Sequence, residues 1–426
     1  MNPSRSPLPQ WLTDLSPADA LAPIAVRQHA MAQAQTWGLP SLRDEEWRWT
    51  NLRPVTQFRP TTETPSAIPT ADTLAAGLPD ALVIRFIDGI LQPLPQDCPV
   101  GLRVTALFDA DETARQAAFR PDATDANDAL LALNTALADT GIVLTLAANT
   151  VLDRPVWIDW QATGGAFSSP RILLKLGAHS QLTLLETDQG AANQASWRNG
   201  VMVVEQGENS ALTHIHLGLS GSARLLTDRQ FVELPRDARF TSINIQLDGQ
   251  LIRREIDVNI RAPGGHCDLF GLLMPRGKQV MDTHTRLTHG AAHTTSDERY
   301  QIIADESGRG IFKGRILVAQ DAQKIQAYQN SRNLLLSPTA EINTKPELEI
   351  YADDVKCSHG ATIGQLDPEA LYYLKSRGIN ETAARQLLIA GFAQEILDKL
   401  PLPALTGYLA AQIGALQQPL SDGARN

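Results

Sequence analysis

The 426-residue chain is acidic, with 37 Lys and Arg residues against 47 Asp and Glu residues and a formal net charge of −10. Its low aromatic content of 5% and the lack of a basic run argue against a protein that binds nucleic acid. Three scattered cysteines make no disulfide framework, and no apolar run reaches the roughly 20 residues of a membrane span. The sequence therefore predicts a cytoplasmic protein of two or three domains, with no membrane segment.

The N-terminal region, residues 1–140, is predicted to be mostly helical. A first helix ends where Gly38 supplies a stop signal, and residues 43–54 form a second short helical segment. The two tryptophans of that segment are predicted to be packing anchors rather than a binding site. Residues 81–91 are predicted to be a strand with a turn at Asp88-Gly89, and residues 125–138 to be a helix.

The central region, residues 141–364, consists of short apolar strands separated by turns, with little helical periodicity. The turns contain Gly, Pro, Asn and Asp at uneven intervals, so the region is not a strict repeat. Stacked short strands joined by turns are typical of a β-solenoid. A β-sandwich produces similar local patterns and remains the structural alternative. The fold class predicted for the chain is therefore mainly β, with helices at both ends.

The C-terminal region, residues 365–426, is predicted to be helical. Asp367 and Asn380 each cap a helix, and a last helix covers residues 405–416 after Pro401 and Pro403 break the chain. These helices carry too much apolar surface to fold independently. We therefore expect them to dock on the solenoid, on a partner or on both.

The most informative motif is Lys-Cys-Ser-His-Gly at the end of the central region, which contains Cys357 and His359. Their i, i+2 spacing on an extended strand puts both side chains on one face, about 6–7 Å apart at the Cα atoms. A sulfur and an imidazole nitrogen so placed can bind one metal ion, but a closed tetrahedral site needs four ligands. Any further ligands must come from elsewhere in the chain or from another subunit. The alternative is that Cys357 is a packing residue and His359 a turn residue.

Other histidines are predicted to be structural. His284, His289 and His293 lie within ten residues and form a candidate metal cluster, but hydrogen bonding to neighbouring strands is the favoured interpretation. His214 and His216 share a face of one strand, and a structural role is favoured there as well. No phosphate loop or dinucleotide-binding motif has the required spacing, which argues against a nucleotide site.

Several segments resemble the SufB/SufD family of iron–sulfur cluster assembly scaffolds. The form Lys-Cys-Ser-His-Gly-Ala-Thr is similar to the SufD branch of the family, whereas the SufB branch tends to carry glutamates that flank its histidine. The resemblance is dense from about residue 141 to residue 396 and thinner in the first 120 residues. The segments that carry it are residues 46–52, 281–284, 307–318, 329–337, 345–364 and 374–379.

This resemblance implies a right-handed parallel β-helix core and a complex with SufB and the ATPase SufC, in which SufC contacts the C-terminal helices. It also implies that Cys357 and His359 belong to an iron or nascent-cluster site shared with SufB. A protein-held cluster usually takes four ligands, mostly thiolates, which three scattered cysteines cannot supply. We therefore expect a non-enzymatic scaffold with no tightly bound cofactor of its own, which holds iron or a cluster transiently in the complex.

Two other functions remain open on the sequence alone. The first is a purely structural adaptor that transmits ATPase motion and binds no metal, in place of a scaffold that shares ligands. A carbohydrate-active enzyme on a β-solenoid is the alternative from another class, but such an enzyme would be expected to show an export signal and a carboxylate cluster. The resemblance also leaves open a homodimer for the chain on its own.

Overall fold

The computed structural model describes residues 5–15, 21–61, 74, 77, 78, 80–120, 128–191 and 194–416. The fold is mainly β, as predicted, and its strands form two long sheets. In chain order the strands are β1 (Leu82–Ile87), β2 (Ile90–Leu91), β3 (Leu102–Ala106), β4 (Gly141–Leu146), β5 (Val156–Ala162), β6 (Phe167–Ser168), β7 (Arg171–Leu176), β8 (Gln181–Gly190), β9 (Ser196–Arg198), β10 (Val201–Gln206), β11 (Ala211–Gly218), β12 (Arg224–Leu234), β13 (Arg239–Gln246), β14 (Leu251–Ile260), β15 (His266–Leu273), β16 (Val280–His289), β17 (Thr295–Ala304), β18 (Arg309–Val318), β19 (Ile325–Leu335), β20 (Glu341–Ile350) and β21 (Val355–Gly364).

From β10 to β21, successive strands alternate between the two sheets, and the fold is a parallel β-solenoid of about eight coils. One sheet has the order β2-β1-β5-β8-β11-β13-β15-β17-β19-β21, and the main path of the other is β20-β18-β16-β14-β12-β10-β7-β4-β3. Strand partners lie about one coil apart in the chain: 27 residues from Phe240 to Cys267 and 31 residues from Ser296 to Ala327. The prediction of one continuous parallel solenoid is confirmed, and the β-sandwich alternative is wrong.

The turns between coils stack on one another through the backbone. Several of them place a non-glycine residue in the left-handed region, as at His179, Asn209 and Asp237, with φ of 58°, 54° and 56°. Asn, Asp and His tolerate this conformation better than most residues. The amide of Asn209 donates to the carbonyl of Arg236 in the next turn, and the amide of Asp237 donates to that of Pro263. Turn chemistry therefore sets where each coil bends.

The two faces of each strand belong to different cores. Leu144 and Leu174 point into the solenoid and pack in its central core. The adjacent Val143 and Leu173 point outward and pack against the N-terminal helices. This alternation follows from the period of two in a β-strand. Both faces of each sheet are covered over much of the solenoid. The sequences of the strands are therefore nearly continuous runs of apolar residues.

Eight α-helices lie in the described part of the chain, and they flank the solenoid. The N-terminal ones cover the outer face of the sheet that ends in β20, and the last two cover the outer face of the other sheet. None of the described helices is long and apolar enough to span a membrane. The helices are α1 (Gln10–Asp14), α2 (Ile24–Trp37), α3 (Arg53–Gln57), α4 (Glu112–Ala118), α5 (Ala129–Leu137), α6 (Pro368–Ser376), α7 (Glu381–Leu397) and α8 (Pro403–Leu416).

Most local predictions at the helix ends are confirmed. Helix α2 ends at Gly38, and the side chains of Asp367 and Asn380 cap α6 and α7 by accepting backbone N–H bonds. One was wrong: Pro403 does not break a helix but begins α8, because proline at the first helical position has no N–H bond to lose. Residues 125–127 of the predicted helix 125–138 and the end of the C-terminal region lie outside the described residues.

The solenoid sheets begin earlier in the chain than residue 141. Strand β1 pairs in parallel with β5, and β3 pairs antiparallel with β4, so both extend the two sheets. The predicted turn at Asp88-Gly89 joins β1 to β2. The division of the chain into regions 1–140, 141–364 and 365–426 stays a prediction.

Candidate metal site at the end of the solenoid

Cys357 and His359 lie on β21, the last strand of its sheet. In the ladder between β19 and β21, Cys357 is the partner of Ala327 and His359 is the partner of Gln329. Ala327 and Gln329 are both buried in the solenoid interior. No described strand pairs with the other edge of β21. Cys357 and His359 are therefore in register with residues of the solenoid interior, but they lie on the last coil, which no further coil covers.

The two candidate ligands differ in environment. The Cys357 side chain is half-buried and packs against the central core, whereas His359 is exposed. Burial raises the pKa of the Cys357 thiol, so the thiol stays protonated at neutral pH unless a metal ion binds it. A neutral imidazole nitrogen needs no such activation to bind iron. The raised pKa of its thiol therefore makes Cys357 the less available of the two candidate ligands.

A groove of about 400 Å³ lies beside His359. Strands β17, β19 and β21 form its floor, and Glu395 of α7 forms part of its wall. The carboxylate of Glu395 accepts hydrogen bonds from Gln301 at 3.0 Å and from Arg332 at 2.9 Å, and Arg299 lies 3.6 Å away. Helix α7 is thus tied by a charged residue to the strands that surround the candidate site.

The pair on β21 is an incomplete ligand set. Among the described residues, one group of three potential ligands lies close enough together to hold a metal ion, and it contains neither Cys357 nor His359. The adjacent Asp354 is engaged by its backbone in the turn, where it contacts Lys324 and Gln323. Of the two sources that the sequence left open for further ligands, elsewhere in the chain or another subunit, the described residues supply none close to the pair.

The group of three is Glu186, Asp188 and His216, and it lies inside the solenoid. His214 Nε2 lies 3.0 Å from Glu186, and His216 Nε2 lies 2.8 Å from Asp188. Arg198 also donates to both carboxylates, at 3.3 Å and 2.7 Å. The carboxylates are therefore already neutralised by buried cations, which makes this group an ion-pair network rather than an empty metal site.

Sequence reasoning found only half of this network. It placed His214 and His216 on one face and favoured a structural role, which the structure confirms. It did not find Glu186 and Asp188. The missed signal is a pair of acids with the same i, i+2 spacing one coil earlier, since His216 is the strand partner of Glu186.

The candidate cluster of His284, His289 and His293 is wrong for the described residues. His284 lies 3.2 Å from Glu46 on the outer face, whereas His293 sits in a turn with φ of 58°. His289 is buried and hydrogen-bonds the hydroxyl of Thr294 at 2.7 Å. Burial lowers the pKa of His289 to about 4. The favoured interpretation, hydrogen bonding between neighbouring elements, is confirmed for His284 and His289.

The N-terminal segment that contains Glu46 is fixed to the outer face of the solenoid. Glu46 accepts from Lys313 at 2.6 Å, and the Trp47 ring stacks on the guanidinium of Arg253 at 4.3 Å. The hydrogen bond from His284 and the charge of Lys313 hold the pKa of Glu46 well below its usual range. The prediction that Trp47 is a packing anchor is confirmed, since it is also buried in the N-terminal core.

Comparison with known proteins places this architecture in a family. The family model described as "SUF system FeS cluster assembly, SufBD core domain" matches residues 159–392, which is more than half of the chain and includes both candidate ligands. The chain belongs to the SufBD family. The resemblance predicted from the sequence is thereby confirmed, and membership replaces the carbohydrate-active alternative.

Named members of the SufBD family are similar to the chain over most of its length. The iron–sulfur cluster assembly protein SufD of Escherichia coli is 30% identical over 99% of both chains. A SufBD family protein of Synechocystis is 32% identical, over 90% of this chain and 88% of its own. SufD of Bacillus subtilis is 29% identical over about two thirds of each chain.

The segments that resemble the SufBD family converge at one end of the solenoid. Residues 307–318 enter β18, residues 329–337 lie mainly on β19, and residues 345–364 span β20 and β21. Glu46, from the most distant of the segments, contacts Lys313 on β18. The family-like residues are therefore concentrated around the coil that carries Cys357 and His359.

Proposed function

We propose that this protein is a scaffold subunit of a SufB–SufC complex and contributes His359, with Cys357 as an auxiliary ligand, to an iron or nascent-cluster site shared with SufB. The observation that carries the proposal is the position of this pair on the uncovered last coil. Two ligands on one face leave at least two coordination positions for a partner. The chain has no catalytic role in this proposal.

The distribution of cysteines supports a shared site. Burial raises the pKa of Cys267 well above its usual value, which keeps that thiol protonated inside the solenoid core. Cys98 lies in the loop between β2 and β3, at the opposite end of the solenoid from β21. Of the three cysteines, Cys357 is the one on the last coil. A cluster with four thiolates from this chain is therefore excluded by number and by position.

The edges of β20 and β21 provide the surface for SufB. Each is the terminal strand of its sheet, and most of β21 is exposed. An unpaired strand edge presents N–H and C=O groups that pair with a strand of another chain. Such pairing would bring residues of SufB next to Cys357 and His359 and would supply the missing ligands.

The C-terminal helices provide the surface for the ATPase SufC. Helices α7 and α8 bury apolar residues on the outer face of the solenoid, so their predicted docking there is confirmed. Helix α6 buries none of its residues, and Tyr372 and Tyr373 are 75% and 57% exposed. Leu387 of α7 is also exposed. Exposed aromatic and aliphatic side chains of this kind are common in protein interfaces.

The test is a His359→Ala variant produced with SufB and SufC under anaerobic conditions. We expect complex formation to be unchanged, since the side chain is exposed, and iron and sulfide content to fall severely. Cys357→Ala should lower iron content less, because the thiol is protonated and auxiliary. Ser358→Ala is the matched control, because Ser358 lies between the two ligands on the opposite face of β21.

The adaptor function is the second candidate, and Glu395 favours it. The carboxylate on α7 binds Arg332 on β19, so a displacement of the C-terminal helices would act directly on the strands beside the site. If the His359→Ala complex assembles and retains the iron and sulfide of the parent, the ligand proposal is refuted and the adaptor function replaces it.

A further inference from the structure

An interior row of polar residues leads to His359. Glu298 of β17 is the strand partner of Gln329 of β19, and Gln329 is the strand partner of His359. Neighbouring strands of a sheet lie about 4.8 Å apart, so the Gln329 amide is one strand away from the imidazole. Glu298 and Gln329 are 1% and 2% exposed. The row therefore runs from the buried interior to the uncovered coil.

The orientation of the Gln329 amide is set by its neighbours. Its Nε2 donates a hydrogen bond to Oε2 of Glu298. Gly314 of β18 makes room for this contact, because a Cβ atom there would lie 2.1 Å from Gln329 Nε2 and 2.8 Å from Glu298 Oε2. Burial raises the pKa of Glu298 to about 7, so above pH 8 the carboxylate is ionised and can only accept. The nitrogen of the amide is thus committed to Glu298.

The oxygen of the same amide is buried and has no hydrogen-bond partner among the described residues. A buried acceptor without a partner costs about 1–3 kcal/mol, so a donor is expected next to it. His359 is the next residue of the row, and it lines the same groove as Gln329. An imidazole N–H is a suitable donor for a carboxamide oxygen.

We propose that Gln329 is a positioning residue for His359: rotation of the exposed imidazole toward the strand beside it lets Gln329 Oε1 accept the N–H of one ring nitrogen and leaves the lone pair of the other nitrogen free for a metal ion. The proposal rests on the proposed function of His359 as a ligand. Histidines that bind metals almost always donate their second ring N–H to a carboxylate or carbonyl group, which fixes the tautomer. Because the Gln329 nitrogen is held by Glu298, the amide offers His359 an acceptor and therefore selects one tautomer.

The tautomer can be measured on the chain alone, without metal or partner. The chain has nine histidines, which can be labelled with ¹⁵N, and His359→Gln assigns the signals of His359. The spectra are recorded above pH 8, and long-range ¹H–¹⁵N correlation shows which ring nitrogen carries a proton. We expect two widely separated ¹⁵N shifts for His359 in the parent chain, the pattern of a single tautomer.

The isosteric Gln329→Met variant removes the acceptor. In this variant the two ¹⁵N shifts of His359 should move toward each other, as in a mixture of tautomers, while those of His289 stay unchanged. Asn330→Ala is the matched control, because Asn330 lines the same groove from the other face of β19. Averaged shifts in the parent overturn the proposal, and so does a single unchanged tautomer in Gln329→Met.

This experiment is independent of the test of the proposed function. If His359→Ala leaves the iron content of the complex unchanged, the ligand function fails, but the tautomer of His359 in the isolated chain is still determined. If the tautomer is averaged while His359→Ala removes the iron, His359 is a ligand that Gln329 does not orient.

Discussion

The buried ion pairs inside the solenoid predict a large loss of stability for Asp188→Asn. The carboxylate of Asp188 is 2% exposed and accepts from Arg198 at 2.7 Å, from two nitrogens of Arg224 at 2.7 Å and 3.1 Å, and lies 2.8 Å from His216. The asparagine has nearly the same shape, so the change removes a charge and turns one acceptor into a donor. Both guanidinium groups stay buried.

The expected loss in the free energy of unfolding depends on the hydrogen-bond partners that Arg198 and Arg224 keep in Asp188→Asn. Arg198 keeps hydrogen bonds to Glu186 and Asp228. Arg224 loses the one carboxylate described for it and keeps neutral acceptors, the oxygen of the new asparagine and the Ser196 hydroxyl at 3.1 Å. Removal of one partner from a buried pair costs about 3–5 kcal/mol because it leaves an uncompensated charge. Since one of the two arginines stays paired, we expect a loss of about 3 kcal/mol in the free energy of unfolding.

The assay is urea unfolding of the isolated chain, followed by tryptophan fluorescence, and the matched control is Glu233→Gln. Glu233 pairs with Arg261 on the solenoid surface, where both side chains are exposed. An exposed pair contributes at most about 1 kcal/mol. If the losses in unfolding free energy of Asp188→Asn and Glu233→Gln differ by less than about 1 kcal/mol, the interior network does not stabilise the fold.

The loss should also be nearly independent of pH between 5 and 8. Although burial opposes ionisation, Arg198 and Arg224 hold the pKa of Asp188 well below its usual range. A carboxyl group with a lowered pKa stabilises the fold above its unfolded pKa of about 3.9, and the contribution is lost as the pH falls below that value. A loss that disappears between pH 8 and pH 5 would contradict this account.

Three further predictions concern other residues. Because the pKa of His289 is lowered to about 4, the parent chain loses stability as the pH falls below about 6.5, the pKa of an unfolded histidine. Between pH 7 and pH 4.5 the free energy of unfolding of His289→Asn should therefore fall by about 2 kcal/mol less than that of the parent, measured by urea unfolding. Because the pKa of Glu298 is raised to about 7, the parent chain loses stability as the pH rises. From pH 5 to pH 8 the free energy of unfolding of Glu298→Gln should therefore rise by about 2–3 kcal/mol relative to that of the parent. Tyr372→Lys on α6 should weaken SufC binding about tenfold by calorimetry and leave SufB association unchanged; equal SufC affinity would contradict the proposed contact.

Local signals in the sequence predicted the elements but not their long-range contacts. Asp367 and Asn380 cap helices as expected, because a cap depends on residues within one turn. The contact between Glu46 and His284 joins residues 238 positions apart, and no local pattern indicates it. Likewise, coils of uneven length hide the strand register, since the partner of a residue lies 27 positions away in one coil and 31 in another.

The candidate site also depends on long-range structure that the local sequence does not reveal. The spacing of Cys357 and His359 correctly placed both on one strand, but it could not show that this strand is the last of its sheet. His214 and His216 have the same i, i+2 spacing on an interior coil, and there the acids of the preceding coil occupy their ring nitrogens. An identical pattern therefore yields an ion-pair network in one coil and a candidate metal site in another.

The position of a coil in the stack decides between these outcomes. Inside the solenoid, each interior histidine is covered on both sides by neighbouring strands, so its desolvation must be offset by partners from the same chain. On β21 the row is covered on one side only, by Gln329, and the other side stays open. A histidine there can be oriented from behind by its own chain and completed from the front by another subunit. This asymmetry would allow a solenoid made of repeated coils to present the proposed binding site at its end.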